Sequence, residues 1–204
     1  MGSLRSLFHP SKGDMWRQLS NQIGGKHVEA GFAKSEKVQA THGEWTLTLD
    51  AHTELVGTAP IAFTRLRAPY VNPDGFRFTV YRQGFFSEIA KWFGMQDIPI
   101  GDEAFDRHFI IKGTDEAKLR MLFLNARIRE LIAIEPEIYI TVKDSEGWFG
   151  PNFPENVDEL YFSVVGVIND VERLKLLYEL FGETLDQLCR MGSAYENSPA
   201  VTLP

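Results

Sequence analysis

The spacing of hydrophobic and polar positions changes period several times along the chain, and each change marks a predicted element. Behind Asp14, a residue type that caps helices, Trp16, Leu19 and Ile23 recur at helical spacing, and Gly24-Gly25 ends the helix. Over 26–82 the period falls to two. Trp45-Thr46-Leu47-Thr48-Leu49 alternates, as does Ile61-Ala62-Phe63-Thr64-Arg65-Leu66-Arg67. Phe76 to Arg82 alternates as well, behind the turn residues Asn72-Pro73-Asp74-Gly75. Such alternation belongs to half-buried strands, so this block predicts an antiparallel meander. Phe85, Phe86, Ile89, Trp92 and Phe93 return to helical spacing before Gly94, and 95–101 reads as a linker.

The second half has a cleaner pattern. Phe105 to Lys112 predicts a strand. Thr114 or Asp115 caps a long helix to about Ile134, with Leu119, Leu122, Phe123, Ala126 and Leu131 on its buried side. Glu137 to Val142 predicts a strand, 145–157 a loop, and Leu160 to Ile168 a strand whose near-continuous apolar run implies cover on both faces. Asn169, with Glu172 three residues on, caps a last helix lined by Leu174, Leu177, Tyr178, Phe181, Leu185 and Leu188. The order β-α-β-β-α resembles an incomplete split βαβ unit, with an edge that strands of the first half are placed to fill. The expected fold class is α+β, an antiparallel or mixed sheet packed with helices. It is organised as a flexible arm (1–13), a β-rich half with flanking helices (14–100), the β-α-β-β-α half (101–190) and a flexible tail (191–204). The two halves form either one domain or two.

Composition narrows the classes. With 204 residues, 44% of them hydrophobic, the chain can bury a core without disulfide or metal staples. Cys189 stands alone, so neither an internal disulfide nor a thiolate cluster is available, and a reducing compartment fits. A net charge of −7 disfavours nucleic acid as a partner. No apolar run reaches the roughly 20 residues of a membrane span, and no signal-peptide pattern is visible. The expected location is cytoplasmic. A weak peripheral membrane contact through the aromatic helix at 85–93 is limited by its single polar-side cation, Lys91.

Candidate chemistry is sparse. Asp102, Glu103, Asp106 and His108 cluster in sequence, but on a strand Asp106 and His108 share one face and Arg107 takes the other. Two ligands do not make a metal site, and Asp50 with His52 is a similar weak pair, so neither metal nor cofactor is expected. A Gly-x-Ser-x-Gly elbow and a phosphate loop are both missing. Lys112-Gly113-Thr114-Asp115 lies where a helix N-terminus can bind an anion, yet Asp115 and Glu116 already supply negative charge, which favours a cap. Arg65, Arg67 and Arg82 form the one basic region, and they bind an anion or, as the stronger reading, pair with carboxylates across strands. Trp148, Phe149 and Phe153 sit in a Gly- and Pro-rich loop, either as a contact surface or as a plug folded back on the core.

Several stretches carry a resemblance. Trp45 to Asp50, Phe63-Thr64-Arg65-Leu66-Arg67-Ala68-Pro69, Gly94 to Ile98, Phe105 to Gly113 and Val157 to Phe162 together resemble an uncharacterised bacterial family. Phe105 to Arg120 more loosely resembles a bacterial domain of unknown function (DUF3137-like). The resemblance implies a bacterial origin and brings no activity, cofactor or catalytic residue. The leading expectation is a non-enzymatic binding or interaction module with a protein partner or a second copy of itself, whose binding residues are Trp148, Phe149, Phe153, Arg65, Arg67 and His108. The alternatives are a small-molecule-binding or hydrolytic enzyme built on Asp106, His108, Arg65 and Arg67, and a structural oligomer subunit that uses an open sheet edge.

Overall fold

The computed structural model describes residues 11–29, 31, 36–84, 97–144, 153–201 and 203, the Val56 side chain excepted. The expected aromatic helix at 85–93 and the loop around Trp148 and Phe149 lie outside these residues.

The first helix, α1 (Lys12–Gln22), starts three residues earlier than a cap at Asp14 would place it. Ser11 is its cap, and Asp14 is the other half of a capping box, donating its N–H to Ser11 Oγ and accepting from the Ser11 N–H. Four strands follow as an antiparallel meander: β1 (Lys26–Val28), β2 (Lys37–His42), β3 (Trp45–Val56) and β4 (Ala59–Val71). Gly57, at φ 65°, takes the left-handed turn position between β3 and β4.

The meander does not run on into β5 (Phe78–Arg82). That strand pairs with β6 (Phe109–Gly113) and β7 (Tyr139–Lys143), while β4 pairs with β8 (Val157–Val165). The full antiparallel order is β1-β2-β3-β4-β8-β7-β5-β6. First-half strands thus enter the second half twice, with β5 inserted between β6 and β7 and β4 laid against β8. The two halves share one sheet and one core.

Three local expectations change. Phe105 to Lys112 is not one strand: α2 (Glu103–His108) precedes β6, because Asp102 caps the helix by accepting from Phe105 N–H. Phe105 then packs at 4.4 Å from the Phe109 ring and 5.7 Å from Phe123. The long helix is two, α3 (Glu116–Phe123) and α4 (Ala126–Ile134), divided where Asn125 turns its side chain onto the N–H groups of Arg127 and Ile128. Asp115 caps α3, as the capping reading of that loop required. The last helix, α5 (Val171–Arg190), is capped by Asp170 rather than Asn169. The tail is also more tied down than expected. Ser193, Ala194 and Leu203 are buried, Tyr195 N–H donates to the Val71 carbonyl, and Lys37 Nζ donates to the Leu203 carbonyl.

Strand alternation gives the sheet two unlike faces. Leu47, Leu49, Leu66, Ala68, Phe162, Ile140 and Val80 face a continuous apolar core that takes in Trp16, Leu122, Leu131, Phe181 and Leu185 from the helices. The opposite face carries Thr48, Asp50, Arg67, Tyr161, Thr141, Thr79 and Tyr81, and these are buried as well. Its apolar cluster, Tyr81, Tyr139, Tyr161 and Ile110, is drawn from strands alone. Among the described residues no helix is long and apolar enough to cross a membrane.

Candidate interaction site

The polar face is ordered by register. Thr48, Arg67, Tyr161, Thr141, Thr79 and Lys112 are successive cross-strand partners over six strands. The Thr79 and Thr141 hydroxyls lie 2.7 Å apart, and Lys143 Nζ sits 3.0 Å from the centroid of the Tyr161 ring. Burial pushes the phenols of Tyr139 and Tyr161 up to about 12.

Asp50 is the centre of charge on this face. It accepts from Arg65 Nε at 2.8 Å and Nη2 at 3.2 Å, and also from the Arg67 guanidinium. Arg67 is 0% and Asp50 2% exposed. Arg65 and Arg67, expected as binding residues, are therefore brought together, but on a carboxylate of the neighbouring strand. That is the cross-strand pairing reading, and it makes the pair a register lock rather than an open cationic pocket. Arg82 goes elsewhere, donating to the carbonyls of Ala133 and Glu135 and covering the Phe109 ring at 4.8 Å.

His108 ends α2, exposed, beside a groove of about 380 Å³ between α2 and α4 that Phe105, Phe109, Arg129 and Ala133 also line. β6, which follows His108, lies four strand positions from β4, a separation of about 19 Å at ~4.8 Å per strand. His108 thus does not meet Arg65 or Arg67. Asp106 accepts from the N–H groups of Ile100 and Gly101, which makes it a loop anchor. Among the described residues no group of three His, Cys, Asp or Glu could hold a metal ion. Phe153 is half-buried ahead of β8, whereas Trp148 and Phe149 lie outside the described residues.

The feature that sequence reading missed is the length of the β3–β4 hairpin. The β2–β3 pairing ends at Lys37↔Asp50 and the β4–β8 pairing at Phe63↔Val165, yet β3 and β4 stay paired out to Val56↔Ala59. The hairpin therefore projects beyond the sheet as a two-stranded arm. Its polarity can be read from one bond. Gly166 N–H donates to the Ala62 carbonyl at 2.7 Å, so Ala62 directs its backbone groups away from β3. Thr53, opposite Ala62, then directs its own N–H and carbonyl away from β4, and by alternation so do Ala51 and Leu55. Among the described residues no strand pairs with that edge. The other edge ends in Pro60, which offers no N–H. Leu55 is 75% exposed, and His52 stacks on Phe63 while its Nε2 lies 2.6 Å from Glu54 Oε1. The available signal was Val56-Gly57-Thr58-Ala59, a two-residue turn inside a run that keeps strand propensity on both sides.

Compared with family models, with curated proteins and with solved structures, the chain shows no match.

Proposed function

We propose that this chain is a non-enzymatic binding module that engages a protein partner through the β3–β4 arm. The observation that carries the reading is the backbone edge at Ala51, Thr53 and Leu55. An edge that ends in a large exposed apolar side chain is a template for strand addition, and natural sheets blunt such edges unless they are used. Pro60 blunts the arm's β4 edge, so the β3 edge is the one that stays competent. The two-sided burial of Asp50 and Arg67 supports the same reading, since it leaves the arm's root rigid. A reducing, cytoplasmic setting suits the lone half-buried Cys189. The hydrolytic alternative finds less support, because Asp106 is engaged by backbone N–H groups and His108 lies four strands from Arg65.

The test is a photo-crosslinking residue at Leu55, activated in the producing cell. The reading expects a heavier adduct at Leu55 and none with the same residue at exposed Glu103, near the far edge of the sheet. Equal yields at both positions, or no adduct at Leu55, would overturn it.

A further inference from the structure

We propose that the polar face of the sheet over β2 and β3 is a binding seat for an extended peptide, and that residues 196–203 of this chain are its resident occupant, held as a releasable strap. The path of the strap follows from its two ends. Tyr195 is fixed by its N–H bond to the Val71 carbonyl, and the Glu196 carboxylate lies over Gly43 in the β2–β3 turn, 2.6 Å from where a Cβ would stand. At the other end Lys37 Nζ donates to the Leu203 carbonyl at 3.0 Å. Lys37 is the cross-strand partner of Asp50, so its side chain leaves the sheet on the polar face. The core face of β2 is already covered, with Val38 and Ala40 packed in the cluster that includes Trp16 and Leu19 of α1. The strand from Lys37 up to Gly43 measures about 20 Å at ~3.3 Å per residue. The stretch from Glu196 to Leu203 reaches about 23–25 Å when extended. The strap therefore runs nearly straight beside β2 and β3.

Its burial alternates as that of a bound strand does. Pro199 and Val201 are half-buried and Leu203 is 3% exposed, while Ser198 and Ala200, at intervening positions, stand in solvent. Extended peptides are recognised in this way, with every second side chain entering the surface. The seat stops at Lys37 and Asp50, the pair at which the β3–β4 arm begins, so it is distinct from the edge of the arm.

The strap is lightly held. Residues 193–195 anchor it: Ser193 and Ala194 are buried, and Ser193 Oγ donates to Asp74. Beyond Tyr195, among the described residues, the one hydrogen bond to the sheet is that from Lys37. The others, Asn197 N–H to the Tyr195 carbonyl and Ala200 N–H to Ser198 Oγ, are local. Ala200 also takes φ 55°, a left-handed conformation that a free peptide does not favour, so docking works against strain at that residue. Segments with few buried contacts and exposed backbone open at a cost well below that of global unfolding. The strap can therefore leave while its anchor and the sheet stay folded. What the seat fits is the chemistry of the strap itself: an extended segment with apolar side chains at alternate positions and an acceptor carbonyl beside Lys37.

The experiment sets a fluorescent peptide of residues 196–204 against the full chain. Leu203→Asp places a charge in an apolar contact and is expected to release the strap, opening the seat to the free peptide. In the wild-type chain the resident segment competes at a high effective concentration. Fluorescence anisotropy should therefore show the peptide bound about tenfold or more tightly by the variant than by the wild-type chain. Adding Lys37→Met to that variant should weaken the peptide about tenfold, the loss of a charged hydrogen bond, without touching a ladder bond of β2. A peptide that itself carries Leu203→Asp should not bind. A folded variant that does not bind the native peptide overturns the inference, as does equal binding by the wild-type chain, which would put the peptide elsewhere. Should Leu203→Asp fail to fold, Leu203→Cys in a Cys189→Ser background decides. Local release of the strap exposes little surface, so the rate of thiol labelling at position 203 should hardly respond to low urea. A labelling rate that climbs with urea as steeply as global unfolding overturns the inference.

Discussion

The imidazole of His42 rests against the backbone of Gly182, so close that a Cβ at position 182 would come within 2.8 Å of the ring. Gly182 lies in the middle of α5, where glycine ordinarily costs about 1 kcal/mol relative to alanine. The ring it admits stacks on Trp45, with planes 9° apart, and its Nε2 lies 3.0 Å from Asp186 Oδ1. The helix thus gives up intrinsic propensity to let the β2–β3 hairpin dock on it.

That contact predicts a reversal of sign. Gly182→Ala should destabilise the wild-type chain by roughly 1 kcal/mol, as the ring is driven off Asp186 and Trp45. In a His42→Ala background the same substitution should stabilise by roughly 1 kcal/mol, because only the helix-propensity gain remains. Urea unfolding of the four chains of this double-mutant cycle measures both values, and additive effects would show that the two residues do not interact.

Asp50 balances two arginines on a buried face, so its removal should be costly. Asp50→Ala is expected to destabilise by about 3–5 kcal/mol, leaving two guanidinium groups beside each other without the carboxylate they share. Asp50→Asn, which keeps the shape and one acceptor, should cost less. Chemical denaturation distinguishes these, and a loss below about 1 kcal/mol for the alanine variant, the value of an exposed pair, would contradict the burial.

Alkaline stability follows from the tyrosines of the polar face. Tyr139 and Tyr161 are raised from an ordinary 10 to about 12 by burial, and Tyr178 is raised further for the same reason. The folded state thus holds their protons more tightly than the unfolded chain does. Their contribution to stability is complete below pH 10 and is lost as pH rises from 10 through 12. The melting temperature should fall across that window, and the tyrosinate absorbance of these residues should rise together with unfolding. Full ionisation of all the tyrosines near pH 10, with native circular dichroism retained, would refute it.

How far the fold could be read in advance depended on whether the deciding contacts were local. α5 and β8 were visible because a one-sided helical stripe and a two-sided apolar strand each leave a signature in neighbouring residues. The break at Asn125 was hidden because the apolar spacing continues across it, and only the cap bonds reveal the stop. The α2 turn was hidden because Phe105, Phe109 and Ile111 satisfy a strand period and a helix-plus-strand arrangement equally well. Pairing of β5 with β7, some 60 residues away, leaves no local trace at all. The candidate site divided in the same way. Cross-strand pairing of Arg65 and Arg67 was foreseeable from alternation and charge, while the arm required knowing where β2 and β8 stop.

Inserting β5 between β6 and β7, and joining β4 to β8, also sets an order of assembly. Strands made early in synthesis must wait for partners made late. β4 cannot acquire its second neighbour until residue 165 has been made, and β5 meets β7 only after α2, α3 and α4 have emerged. Long-range pairings of this kind fold slowly, and exposed strand edges in the interval invite wrong partners. A nascent chain stalled before β8 should therefore show protease cleavage through β4, which the finished sheet resists.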